Sequence, residues 1–372
     1  MRPNRALICG YYGFANAGDE AMLKAVIDAL RGLEPGLELT VLSGNPQETA
    51  ARHDVLTVHR FAVGAILRAV FRSDVVISGG GSLLQDVTSR RSIFYYLGVM
   101  MLAELFGKPV MLYGQGIGPI RAKFARWLTA LLCRRAAAVA VRDEQSVAEL
   151  TGFGVDPERI FLTADPVMGM HPVDREAGRV ILRAHGLRQG KPVLGLSVRE
   201  WPGSVSFKKE FARVADSFIR EYDAHAVFLP LQHPGDLIVS HEIAELMEEK
   251  ANASVLSQRY SIAEVFSLVG NMDVLLGIRL HALIFGVIMQ IPVLGVSYDP
   301  KIEGFLTSIN SEPVAGLKGM TAGAALDKIR EIMADKQTLL LRQNARLAGL
   351  RNGALENARL AVELLHRSKS KG

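Results

Sequence analysis

The sequence predicts an α/β protein built from two doubly wound parallel-sheet domains facing a cleft, and three observations predict it. Short apolar runs with β-branched residues alternate with helical stretches from end to end, the period of βαβ units. At 372 residues the chain exceeds one ordinary domain and suits two of about 150 to 200 residues. Asp165-Pro-Val-Met-Gly-Met-His-Pro172 breaks the alternation with two prolines and a glycine, so it reads as a linker running to about residue 175. The domains are then residues 1–170 and 176–372.

The first half carries strand patterns at 6–9, 37–42, 74–78, 110–113, 137–141 and 160–162, with helical patterns at 19–33, 93–106 and 123–135. The second half restarts with strands at 193–198, 226–229, 254–256, 273–276 and 292–296. Helical patterns fall between them at 207–222, 237–250 and 262–269. Residues 322–366 are mostly helical, interrupted near Gly349 and Gly353, and the last helix is a candidate to pack back onto the first domain. Two such halves resemble the GT-B architecture.

Composition narrows the class. Nearly half the residues are apolar, and Cys9 and Cys133 have neither metal-ligand spacing nor a disulfide framework, as expected of free thiols in a reducing cytoplasm. No leader pattern opens the chain, because the run from Ala6 to Cys9 is too short for an h-region. A net charge of +5 suits an acidic ligand or anionic surface without demanding nucleic acid, for which no motif is present. Arg121 to Arg135 is a basic amphipathic helix around Trp127, a pattern shared by ordinary surface helices and by peripheral membrane contacts.

Chemistry concentrates at Asp273-Val-Leu-Leu-Gly-Ile-Arg-Leu-His281. Read as extended backbone, Arg279 and His281 point to one side from the carboxyl edge of a parallel sheet, where open α/β folds bind ligands. Arg grips carboxylate or phosphate, and His delivers a proton near neutral pH. Lys301 leaves the next predicted strand, so adjacent strands would bring the three groups to one pocket. Ordinary salt-bridging is the competing explanation for any one of them.

The first half offers loops. Gly10-Tyr-Tyr-Gly-Phe-Ala-Asn-Ala-Gly-Asp-Glu20 is neither a dinucleotide fingerprint nor a P-loop, but Asn16 and Asp19 suit a polyhydroxylated ligand. Helix capping explains the acids equally well. Ser78-Gly-Gly-Gly-Ser-Leu-Leu-Gln85, with Gly80 and Gly81, and Gly114-Gln-Gly-Ile-Gly-Pro119, with Gln115, allow close backbone approach after other strands. Arg142, Arg199 and the pair Gln232-His233 are candidates by position. No metal-site spacing is present, so neither metal nor cofactor is expected.

Taken with Val141-Arg-Asp143, Gly277-Ile-Arg-Leu-His281 and Ser297-Tyr-Asp-Pro-Lys301, these loops resemble the polysaccharide pyruvyl transferase family, particularly its CsaB type. The resemblance covers nearly the whole chain in the expected order. It implies a GT-B-like fold and transfer of pyruvate from phosphoenolpyruvate to a sugar as a ketal. For CsaB-like members the acceptor is an N-acetylmannosamine unit of a cell-wall polymer precursor, lipid-linked or free. It further implies His281 as the acid, Arg279, Lys301 and Arg142 as donor ligands, and a cytoplasmic enzyme working at the inner membrane face. Asn16, Asp19, Gly80, Gly81 and Gln115 stand as the acceptor side. Two rivals are a nucleotide-sugar glycosyltransferase, which should show an acidic ribose ligand, and a non-enzymatic two-domain binding protein.

Overall fold

The computed structural model describes residues 3–87, 89–201 and 206–369. In chain order the elements are β1 (Arg5–Cys9), α1 (Ala17–Leu33), β2 (Glu38–Ser43), α2 (Pro46–His53), β3 (Leu56–His59), α3 (Val63–Arg72), β4 (Val75–Ser78) and β5 (Gly81–Leu84). Next come α4 (Ser92–Leu105), β6 (Val110–Ile117), α5 (Lys123–Arg135), β7 (Ala138–Val141), α6 (Glu144–Gly152), β8 (Ile160–Leu162) and α7 (Glu176–Ala184). Then follow β9 (Val193–Ser197), α8 (Ser206–Tyr222), β10 (His225–Phe228), α9 (Gly235–Leu246), β11 (Ala253–Val255), α10 (Ile262–Val269) and β12 (Val274–Gly277). The chain closes with α11 (Leu280–Ile288), β13 (Val293–Ser297), α12 (Pro300–Ser308), β14 (Ala315–Gly316), α13 (Ala322–Ala334), α14 (Lys336–Asn344) and α15 (Leu347–Lys369).

One compact unit comprises Met1–Phe14, Asp19–Met170 and Gly349–Gly372; the other comprises Ala15–Gly18 and His171–Ala348. The first holds a parallel sheet in the order β3-β2-β1-β4-β6-β7-β8, with β5 pairing to β6. Its central strands β1, β4, β6 and β7 are buried on both faces, so they read as continuous apolar runs. Helices α3, α4 and α5 cover one face through Ile66, Val70, Leu97, Met100 and Ala125. The other face is covered by α1 and by α15, whose Ala358, Ala361 and Leu365 pack with Ile8, Ile77 and Tyr113. Thr163 donates to the Asn357 side-chain oxygen at 2.9 Å, fixing α15 to the end of β8.

The second unit holds a parallel sheet in the order β11-β10-β9-β12-β13-β14. Gly277 of β12 is level with Ser197 of β9 and Gly295 of β13, so the three following loops leave one sheet edge together. In both units the order of the sheet reverses beside the first strand. The reversal lies between β1 and β4 in one and between β9 and β12 in the other, the place where such sheets bind ligands.

Several sequence expectations are corrected. Gly81–Leu84 is a short strand rather than part of a loop. Strand β6 continues to Ile117, which puts Gln115 inside the sheet instead of on a loop. Gly349 and Gly353 lie within α15. The run breaks at Asp335, whose side chain caps α14 and whose backbone ends α13, and again at residues 345–346, shortly before Gly349.

Candidate active site

Arg279 and His281 do not form an extended pair. The backbone is extended only at Arg279, the residue that caps α11, and His281 is the second residue of that helix. The sequence from Leu280 to Ile288 is apolar nearly all round, and α11 is accordingly buried. Both functional side chains therefore stand at a helix N-terminus, directly after β12 and beside the sheet's reversal. First-turn amides and the helix dipole favour an anion there.

Arg279 is held from a neighbouring loop. Its Nη2 donates to Asp236 Oδ1 and, at 2.9 Å, to Gln232 Oε1. Asp236 is fully buried, and its Oδ2 accepts the amides of Leu231 and Gln232 at 3.2 and 3.0 Å. The carboxylate thus fixes the β10–α9 loop and the guanidinium together. Arg279 Nε is buried without a hydrogen-bond partner among the described residues.

The four residues Ala15–Gly18 lie on this loop and belong to the same unit. Ala17 N–H donates to the Leu231 carbonyl at 2.7 Å, His233 N–H to that of Ala15 at 3.2 Å, and Asn16 bridges antiparallel to Gln232. The Asn16 side chain accepts from the Gly18 amide at 3.0 Å, closing a local turn. Gly18 sits against His281: a Cβ placed there would be 2.2 Å from Nδ1 and 2.6 Å from Cγ. Phe285 is on the other side, its ring centroid 6.3 Å from that of the imidazole. Asn16, expected among the acceptor loops, is therefore paired with Gln232, two residues before the glycine that meets His281.

Lys301 follows β13, the strand beside β12. Its Nζ is 3.4 Å from Asp299 and 5.5 Å from the centre of the Tyr298 ring. Arg199, after β9, donates to the Tyr298 hydroxyl at 3.0 Å, and Trp201 packs on Tyr298 with centroids 4.6 Å apart. Lys301 and Arg199 thus share an aromatic shelf on the same sheet edge as Arg279.

In the first unit, Asp19 and Gly81 meet: a Cβ on Gly81 would be 3.8 Å from Asp19 Oδ1, and the Gly81 φ of +94° requires glycine. They follow β1 and β4 on either side of the reversal. Gly80 is a packing glycine, because a side chain there would strike Met22 Sδ at 2.3 Å. Gln115 is fully buried in β6, with Ser78 Oγ at 3.5 Å from its Oε1 and no partner for Nε2 among the described residues.

Arg142, a donor-ligand candidate by resemblance, is turned into its own unit. It donates to Asp165 at 2.9 Å, to Ser82 at 3.0 Å and to Asp143 at 3.3 Å, and its side chain is only 5% exposed. Burial works against its charge, but Asp165 and Asp143 outweigh burial and hold its pKa above the ordinary value. Such a guanidinium ties β5 to the loops after β7 and β8.

Sequence reasoning missed Asp236, Gly18 and the Tyr298 shelf. Asp236 has the look of an ordinary first-turn acid, and only the fold joins it to a residue 43 positions away.

The polysaccharide pyruvyl transferase family model matches residues 16–300. A curated relative, the amylovoran biosynthesis protein AmsJ of Erwinia amylovora, is 18% identical over 88% of this chain and 92% of its own length. Among solved structures, the UDP complex of MnaA from S. aureus superposes with a TM-score of 0.68 at 10% identity, over 94% of each chain. Anabaena Alr3699/HepE in complex with UDP gives 0.68 at 11%, over 98% of this chain and 100% of that one. The UDP-GlcNAc 2-epimerase of Neisseria meningitidis gives 0.64 at 12%, over 98% and 100%. At these identities the structures share the fold alone, which is the GT-B-like class of two parallel-sheet α/β domains.

Proposed function

The chain belongs to the polysaccharide pyruvyl transferase family, and on that premise we propose that it moves pyruvate from phosphoenolpyruvate to a sugar as a 4,6-ketal, releasing phosphate. The acceptor in this reading is N-acetylmannosamine of a cell-wall polymer precursor, as for CsaB-type members, lipid-linked or free. The observation that carries the proposal is the placement of Arg279 and His281 in the first turn of α11, at the reversal of the second sheet.

Arg279 and the amides of that turn bind the donor's carboxylate or phosphate, and Lys301 neutralises the remaining charge from the start of α12. His281, as imidazolium, protonates the methylene carbon, and the adjacent carbon becomes oxocarbenium-like. One sugar hydroxyl adds to that carbon and its proton returns to His281. Phosphate then leaves with the bonding electron pair, and the second hydroxyl closes the ketal, its proton passing to phosphate. Positioned acid catalysis of this kind contributes typically about 10²- to 10⁴-fold. Asp236 and Gln232 orient Arg279; Asp19 and Gly81 form the acceptor side, and Arg142 enters as the residue that holds the loops around them.

The test is incubation with phosphoenolpyruvate and an N-acetylmannosaminyl acceptor. Mass spectrometry should find the acceptor gaining pyruvate with loss of water, alongside stoichiometric phosphate. Phosphoenolpyruvate left intact with every sugar tried, together with turnover of a nucleotide sugar, would select the glycosyltransferase instead.

A further inference from the structure

Helix α4 breaks the usual pattern for a helix lying on a sheet. Its inner side packs in the core through Ile93, Leu97 and Met100, as it should. Its outer stripe is also apolar: Phe94, Met101 and Leu105 follow at helical spacing and are 40%, 53% and 80% exposed. A helix apolar all round belongs in an interior, yet this one lies on the outside of its unit with α3 and α5 packed on either side.

The neighbours extend the patch. Phe94 stacks on Phe124 with centroids 6.0 Å apart, and Phe124 stacks on Trp127 at 5.7 Å. At the far end of α4, Phe106 meets Phe71 of α3 edge-on at 6.0 Å. Trp127, Phe124 and Phe71 are all more than half exposed. Contiguous apolar surface of this extent marks a contact site.

Charge identifies the partner. Residues 55–142 contain 12 Lys and Arg but only three acids. Asp74 and Asp86 are buried on backbone amides, and Glu104 is paired with Arg135 at 3.6 Å. Arg68, Arg72, Arg90, Arg91, Lys123 and Arg126 are exposed on or beside these helices. Aromatic side chains among outward arginines form the arrangement that suits a bilayer interface carrying anionic headgroups. A second copy of the chain is disfavoured, because a two-fold contact through this face would set its arginines against themselves.

We propose that the α3–α4–α5 face docks on anionic phospholipid, inserting Phe94, Met101, Leu105 and Trp127 at headgroup depth while the arginines bind phosphates. The inference concerns where the protein sits and does not rest on the pyruvyl chemistry.

The test is co-sedimentation of the full chain with vesicles of phosphatidylcholine alone and of phosphatidylcholine mixed equally with phosphatidylglycerol. The protein should pellet with the mixed vesicles and stay soluble with the neutral ones, and high salt should release much of it. Arg68→Gln with Arg72→Gln should weaken partitioning on the order of tenfold, and Met101→Glu with Leu105→Glu should abolish it. Thermal midpoints near wild type would confirm that the variants fold. Transfer to a soluble acceptor should persist in both, separating this outcome from failure of the proposed reaction. Equal binding to neutral vesicles, wild-type protein left in the supernatant, or undiminished binding by the variants would overturn it. So would a Met101→Glu/Leu105→Glu variant that only converts a dimer into monomers.

Discussion

Gly18→Ala is the sharpest test of the site, because it adds one methyl group and replaces none of the groups assigned to chemistry. The new Cβ would stand 2.2 Å from His281 Nδ1, 2.6 Å from Cγ and 2.9 Å from Cβ, whereas ordinary contact begins at 3.4 Å. Turning the imidazole relieves the first two overlaps but leaves the third, so the backbone of α11 or of residues 15–18 must move as well. Residues 15–18 resist, being pinned by the 2.7 Å bond from Ala17 to Leu231. The ring retreats by about an ångström, a misplacement that costs roughly 10²-fold in rate. Phosphate release from phosphoenolpyruvate, measured with acceptor, should fall by that factor. Donor affinity, followed by thermal shift, should hold because Arg279 is untouched.

The same helix supplies the control. A Cβ at Gly32 meets nothing within 4 Å, so Gly32→Ala should stabilise the protein by about 0.5 to 1 kcal/mol with activity unchanged. Wild-type turnover by a folded Gly18→Ala enzyme would refute the assignment of His281.

Four further outcomes are expected. His281→Ala should lose turnover while keeping phosphoenolpyruvate affinity; isothermal titration alongside the rate assay separates the two. Lys301→Ala should raise the Michaelis constant for the donor severalfold, and an unchanged constant would remove it from the donor site. Asp236→Asn should destabilise by about 2 to 3 kcal/mol and raise the donor's Michaelis constant more than it lowers kcat, since Arg279 loses its anchor. The last concerns Glu20, buried in contact with His53 at 3.1 Å. Burial alone would raise its pKa, but the His53 and Gly13 hydrogen bonds bring it below the ordinary 4.5. A carboxylate depressed on folding stabilises above its unfolded pKa and ceases to as pH falls through the folded value. Urea midpoints of wild type should therefore exceed those of Glu20→Gln at pH 7, and the gap should close below about 4.5.

The sequence made the sheets legible because parallel strands buried on both faces leave plain apolar runs. It misjudged the geometry around His281 for the same reason: a fully buried helix such as α11 shows no amphipathic period, and Ile-Arg-Leu-His reads as strand. Gly353 illustrates a second limit. It looked like a helix break, yet a Cβ there would lie 3.2 Å from the Thr163 backbone, so the glycine lets α15 approach the chain after β8. The missed segment α2 had a readable start, Asn45 capping a helix that opens on Pro46. No local pattern announced Asp236 or Gly18, whose partners are set by tertiary contact alone.

Asp236 also explains how a cation can be kept ready inside the second unit. A guanidinium cannot shed its charge, so burying Arg279 costs several kcal/mol unless a counter-ion accompanies it. A carboxylate bonded to several guanidinium nitrogens would offset that cost but occupy the face an anionic donor needs. Here both side-chain bonds fall on Nη2, while Asp236 spends its other oxygen on the Leu231 and Gln232 amides. The cation is thereby oriented without being saturated, and its Nε remains unbonded among the described residues, next to the first turn of α11. Arg279, the helix terminus and Lys301 together outweigh the two nearby acids, Asp236 and Asp299. That imbalance suits a donor bearing both a carboxylate and a phosphate, the charge pattern of the proposed donor.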